Sequence, residues 1–207
     1  MRRDSLVAVE DHTAECWERD FARQMALAEP KDTVRGVFCN GVLRFVRKIG
    51  CEELVKRCLE VSGEEKFVDF FNYPVATYLR MVSIAMRSLA ERHGNIDDAL
   101  RQFGRQAMLD LNGSVAGKAL GLMRTGDMRS TLEGLRVFFR VAVSFGEYEL
   151  VWTGPTSARL TMRRVFMPYL FHEGLLLTLL DRKDIRAVKV RGRQLATLDS
   201  EFEISWE

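Results

Sequence analysis

The chain predicts a mixed α/β fold of the α+β kind: an N-terminal helical layer packed on a C-terminal antiparallel sheet of four to five strands. Three observations carry this expectation. Up to about residue 145 apolar residues recur at helical spacing. Beyond it they alternate like strands around one inserted apolar helix. No Ser- or Gly-rich linker, repeat or low-complexity run divides the two parts, and prolines occur only at 30, 74, 155 and 168. The expected organisation is one domain over 1–207, comprising a helical extension (1–31), a helical part (32–145) and a strand–strand–helix–strand–strand part (146–207).

Residues 15–28 form an amphipathic pattern that ends before Pro30. Val34 to Phe38 reads as a short strand, and Gly41 to Ile49 as a helix stopped by Gly50. A helix over about 51–61 follows. Asn72-Tyr73-Pro74 opens a long helix reaching about Arg92, with Pro74 near its first turn, where a missing N–H costs little. Asn95 is a suitable N-cap for a helix over about 96–111, with Asp97 and Asp98 in its positive first turn. Further helices are expected over 114–124 and 129–143. Tyr148, Leu150 and Trp152 alternate, Thr153-Gly154-Pro155-Thr156 is a turn, and 147–163 therefore reads as a hairpin. After an apolar helix, Phe166 to Leu180, a second hairpin is expected, with strands over 184–190 and 195–206 and a turn near Arg191-Gly192-Arg193.

Lys and Arg total 31 against 29 Asp and Glu, so no basic field favours nucleic acid as a partner. No run reaches the roughly 18 apolar residues of a membrane span. No signal peptide is visible, and Cys16, Cys39, Cys51 and Cys58 match neither a disulfide framework nor a zinc spacing. A cytoplasmic protein with free thiols and no metal is expected.

Several motifs approach known chemistry and fall short. Gly113 to Ala119 is one residue short of a phosphate loop, and Ala119 lacks the hydroxyl that would hold magnesium. Gly113, Gly117 and Gly121 instead place a smooth strip on one helix face, which suits close helix packing or a flat ligand. His172-Glu173-Gly174-Leu175-Leu176 opens like a zinc-protease helix, but Leu176 replaces the second histidine. His172 is then a hydrogen-bonded structural residue or a pocket contact, and Gly174 permits close approach of a neighbour. Arg182-Lys183, Lys189 and Arg191-Gly192-Arg193 read as solvated turns, or as contacts to an acidic partner. No catalytic constellation can be assembled, so a non-enzymatic role is expected.

Two blocks together resemble a known superfamily. One is Ala99 to Arg105 with the helices after it. The other is the hairpin, the Pro168 to Leu180 helix, the second hairpin and the closing Glu203-Ile204-Ser205-Trp206. They resemble the superfamily of haem-nitric-oxide-binding domains, 4-vinyl-reductase-type domains and TRAPP trafficking subunits. More closely, Val34-Arg35-Gly36-Val37-Phe38, Asn40-Gly41, Tyr73-Pro74, Phe103-Gly104-Arg105, His172-Glu173-Gly174 and Ile204-Ser205-Trp206 resemble an uncharacterised paralogous family expanded in myxobacteria.

The resemblance implies helices on an antiparallel sheet. The haem-binding branch uses a histidine on the helix after the Phe-Gly block and a Tyr-x-Ser-x-Arg clamp. Leu132 to Arg140 contains no histidine and the clamp is missing, so no haem or other cofactor is expected. The other relatives hold small apolar molecules or act as assembly subunits. A sensory or regulatory module enclosing a small apolar ligand is therefore expected, with a structural interaction subunit as the alternative. A homodimer or other protein partner is expected in either case. Phe103 and Tyr169 would supply pocket walls, Gly117 and Gly121 room, and His172 a polar handle.

Overall fold

The computed structural model describes residues 14–50, 52–93, 95–113, 127–182 and 185–207. Helices α1 (Ala14–Ala26), α2 (Gly36–Lys48), α3 (Glu52–Ser62), α4 (Val75–His93), α5 (Ile96–Gly113) and α6 (Met128–Ala142) form the helical part. Short strands β1 (Thr33–Arg35) and β2 (Asn72–Pro74) pair antiparallel within it. The C-terminal part runs β3 (Glu147–Gly154), β4 (Ser157–Arg163), α7 (Tyr169–Leu180), β5 (Lys189–Ala196) and β6 (Asp199–Ser205). Its four strands form one antiparallel sheet in the order β3-β4-β6-β5. The fold is the expected mixed one. The helix expected over 114–124 lies outside the described residues.

The caps follow from the sequence. Asn95 Oδ1 accepts from the Asp97 N–H at 2.9 Å, and Asp127 Oδ1 accepts from the Ser130 N–H at 2.8 Å at the start of α6. Gly50 ends α2 with φ +75°, a conformation a side chain would resist.

Three expectations need correction. The extended segment at Val34 stops at Arg35, and α2 begins at Gly36 instead of Gly41. No side chain caps this end; carbonyls of the 68–71 loop do so instead. Gly36 N–H donates to Phe71 O at 2.8 Å and Val37 N–H to Asp69 O at 3.1 Å. A Cβ at Gly36 would collide with the Val68 carbonyl, so this cap needs glycine. α7 starts at Tyr169, not Phe166, because Arg164 turns out of β4 with φ 53° and Pro168 is the N-cap. The last turn is Thr197-Leu198, and Arg191-Gly192-Arg193 lies within β5. Gly192 is there because a Cβ would press on the rings of Phe202 and Tyr169, each 2.8 Å away.

α7 is the centre of the molecule. Nine of its twelve residues are buried, which requires cover on nearly every side. α5 covers one flank and strands β5 and β6 of the sheet another, with the Phe202 ring 6.1 Å from His172.

The segment just after α1 ties the two parts together. Asp32 is 1% exposed, and Arg164 forks onto it, donating to Oδ1 at 2.6 Å and Oδ2 at 2.9 Å. Burial works to raise the Asp32 carboxyl pKa. The Arg164 fork and charge, with the Glu29 N–H, outweigh it and leave that pKa below its ordinary 3.8. A depressed carboxyl stabilises the fold above the ordinary range and loses that contribution as pH falls through the lowered value. Asp32→Asn is expected to lose about 1.5 kcal/mol at neutral pH, read by denaturant unfolding. The gap from wild type should close in strong acid.

Candidate functional site

His172, Glu173 and Gly174 are consecutive on α7, and each does a different thing. Gly174 lies against the α5 backbone: a Cβ there would collide with the Arg101 carbonyl oxygen. Reciprocally, a Cβ at Gly104 would collide with the Phe171 carbonyl oxygen. The two glycines form the α5–α7 crossing. Glu173 is buried and links three elements, accepting from Arg101 Nε of α5 at 2.8 Å and from the Gly192 N–H of β5 at 2.6 Å. His172, 6% exposed, lines a cavity.

That cavity has a volume of about 60 Å³ and is bounded by α2, α4, α6, α7 and the loops carrying Val143, Phe145, Val165 and Phe166. His172, Tyr78 and Tyr148 are its polar side chains among the described residues. The imidazole sits among rings, 5.3 Å from Phe171, 6.1 Å from Phe202 and 6.5 Å from Phe139, while Phe139 stacks on Tyr148 at 4.3 Å. His172 Nδ1 is buried without a hydrogen bond of good geometry, and the Pro168 carbonyl interacts with the imidazole and opposes part of the effect of burial. A group so placed costs about 1–3 kcal/mol, and native proteins keep few of them without a reason.

Burial pushes the His172 pKa down from 6.5 to about 4. The folded protein therefore holds the imidazole neutral where the unfolded chain would protonate it. His172 stabilises the fold fully above pH 6.5 and loses that contribution as pH falls from 6.5 towards 4. Wild type should lose more stability over this window than His172→Leu does, as read by urea unfolding at stepped pH.

The expected site residues do not share one cavity. His172 lines the 60 Å³ space. Phe103 is buried at the α2–α5–α7 junction, with its ring 5.0 Å from Phe45 and 5.3 Å from Phe171, beside a void of about 10 Å³. Tyr169 lines a separate pocket of about 280 Å³ near α1. Gly117 and Gly121 lie outside the described residues. Sequence reasoning missed Glu173 and Arg101, although a carboxylate inside so apolar a helix is itself a signal of a buried partner.

A larger groove of about 780 Å³ runs beside α6 and β3. Its described lining includes the exposed Glu133, Arg136, Arg140, Glu147 and Glu149, and no buried polar atom without a partner. At one end Arg129 lies 4.2 Å over the Trp152 ring.

No group of three or more His, Cys, Asp or Glu side chains suited to a metal occurs among the described residues. Cys39 and Cys58 are buried free thiols, raised by burial to about 12 and about 11, which disfavours the reactive thiolate. The side chains of Cys16 and Cys51 lie outside the description. No described helix is long and apolar enough to cross a membrane.

The helical layer over a β-β-α-β-β unit is similar in fold to solved H-NOX domains. An H-NOX protein from S. oneidensis in the Fe(II)NO ligation state superposes with a TM-score of 0.64, covering 84% of this chain and 99% of that one at 14% identity. Unliganded Fe(II) H-NOX from K. algicida gives 0.58, with 84% and 96% covered at 14% identity. An oxygen-binding H-NOX domain related to soluble guanylate cyclases gives 0.60, with 84% and 95% covered at 12% identity. The chain itself belongs to the family described as "protein of unknown function (DUF2378)", which matches residues 27–207. No curated protein matches it.

The described residues do not fit a porphyrin. Cofactor sites occupy roughly 300–1,000 Å³, and here 60 Å³ is open between closely packed aromatic side chains. α6 presents no histidine to the cavity.

Proposed function

We propose that this chain is a non-enzymatic, cytoplasmic sensory or regulatory binding module. It encloses a small apolar molecule of a few heavy atoms beside His172 and passes occupancy on through a homodimer or partner surface. The observation that carries the reading is an uncharged histidine, its Nδ1 without a hydrogen bond of good geometry, in the wall of an apolar cavity at the junction of the helical layer, α7 and the sheet. The likeness in fold to H-NOX domains, whose described states include nitric oxide and oxygen complexes, supports a ligand-holding role.

Apolar cavities of this kind admit xenon, which makes xenon a direct probe. The ¹²⁹Xe chemical shift should respond saturably to the wild-type protein and lose that response in Ala142→Ile, which fills the cavity wall. A response that stays linear with protein concentration in wild type would count against an enclosed site. The small volume also favours a second reading, an interaction subunit whose interior is filled by its own side chains. Native mass spectrometry that finds a dimer and no guest would support that one.

A further inference from the structure

We propose that the 280 Å³ pocket between α1, the start of α5 and Pro168–Leu170 binds a neutral, flat aromatic molecule with a hydrogen-bond acceptor near one end and a donor near the other. It shares no described lining residue with the His172 cavity and goes beyond the function proposed above.

Two of its lining residues hold unsatisfied groups of opposite sense. The Trp17 indole Nε1–H and the Gln24 Oε1 are both buried without a partner, and each residue is 7% exposed. The indole can only donate. Gln24 Nε2 donates to Thr197 O at 3.1 Å, which fixes the amide so that its oxygen is the vacant end. Each such group costs about 1–3 kcal/mol while unpaired. Two in the wall of one pocket point to a guest that completes them.

Spacing and walls set the shape of that guest. Trp17 and Gln24 are seven residues apart on one face of α1, about 10 Å along the axis at roughly 1.5 Å per residue. Phe21 lies between them and stacks on Trp17 at 4.9 Å and 15°, giving a flat aromatic surface. Tyr169 also lines the pocket. The two vacant groups are uncharged, so the ends of the guest that meet them are uncharged as well, while the charged Asp20, Arg23 and Asp97 also line the pocket.

The test uses the ¹⁵N-labelled full chain, whose three tryptophans each give an indole N–H resonance, with Trp17 assigned from Trp17→Phe. The probes are 4′-hydroxyacetanilide and 4-ethyltoluene, a hydrocarbon without donor or acceptor. The first should shift the Trp17 resonance saturably and leave Trp152 and Trp206 unmoved. It should bind about tenfold more tightly than 4-ethyltoluene, and about tenfold more weakly to Gln24→Met than to wild type. His172→Leu should leave this binding unchanged, so failure here is separable from failure of the His172 cavity. Absence of a saturable shift, equal shifts of all three indoles, or equal affinity for the two probes would overturn the proposal. If Gln24→Met does not fold, the probe pair on the wild-type chain decides.

Discussion

Gly174→Ala is expected to lose about 3 kcal/mol or more of folding stability, although alanine is the better helix former. In an open helix the exchange would gain about 1 kcal/mol. Here the added methyl would occupy the position of the Arg101 carbonyl oxygen, and that atom belongs to the α5 backbone, so it cannot swing aside as a side-chain tip would. The helices would have to separate, loosening Phe103 against Phe171 and the cover over Leu175 and Leu176. Gly104→Ala meets the Phe171 carbonyl in the same crossing and should cost a similar amount. Once one substitution has parted the helices, the second should cost less, so the double variant should fall short of the sum. Denaturant unfolding of the three variants reads this directly. A neutral or stabilised Gly174→Ala would show that α5 and α7 do not meet there.

The second large effect is expected at Glu173. Its carboxylate is nearly buried, and its two partners lie on different elements. Glu173→Ala leaves the Gly192 N–H without its acceptor and removes the nearer of the two carboxylates on Arg101, which keeps Asp98 at 3.4 Å. Breaking a fully buried pair costs about 3–5 kcal/mol. Arg101 is 39% exposed and can recover water, so about 2–3 kcal/mol is expected. Glu173→Gln keeps an acceptor of similar shape and should recover part of the loss. Hydrogen exchange should locate the damage: the Gly192 amide should lose protection in Glu173→Ala more than amides of the β3–β4 pairing do. Equal loss throughout would mean that Glu173 acts on the whole fold, without a specific link to β5.

Much of this architecture is legible in the residues because period and capping agree. Asn95 lies where a helix starts, Thr153 to Thr156 where a hairpin turns, and the apolar run to Leu180 where a helix must be surrounded. Gly50 and Gly174 act as the sequence implies, and the reading fails at two other glycines. Gly192 between two arginines has the composition of a turn, yet its role is set by the rings of Phe202 and Tyr169, which only the tertiary structure brings to it. Gly36 likewise serves a cap made by backbone carbonyls some thirty residues later, to which no local pattern points. The candidate site was legible only at His172. The distribution of Phe103 and Tyr169 into other spaces depends on the helix crossing, and the Trp17–Gln24 pair shows only when unfilled hydrogen-bonding groups are located in space.

The short stretch around Thr33 bears on kinetics. Val34 bridges Val143, and both line the His172 cavity. Around them the chain is held by backbone and hydroxyl bonds: Ser144 N–H to Thr33 O at 3.0 Å, Thr33 N–H to Ser144 Oγ at 2.8 Å, and Val75 N–H to Asp32 O at 2.8 Å. If a guest passes this way, it must wait for those bonds to break together, so its exchange would follow the tempo of local unfolding and not of diffusion. Arrival and departure would then slow in proportion, giving long residence even for a weakly held molecule.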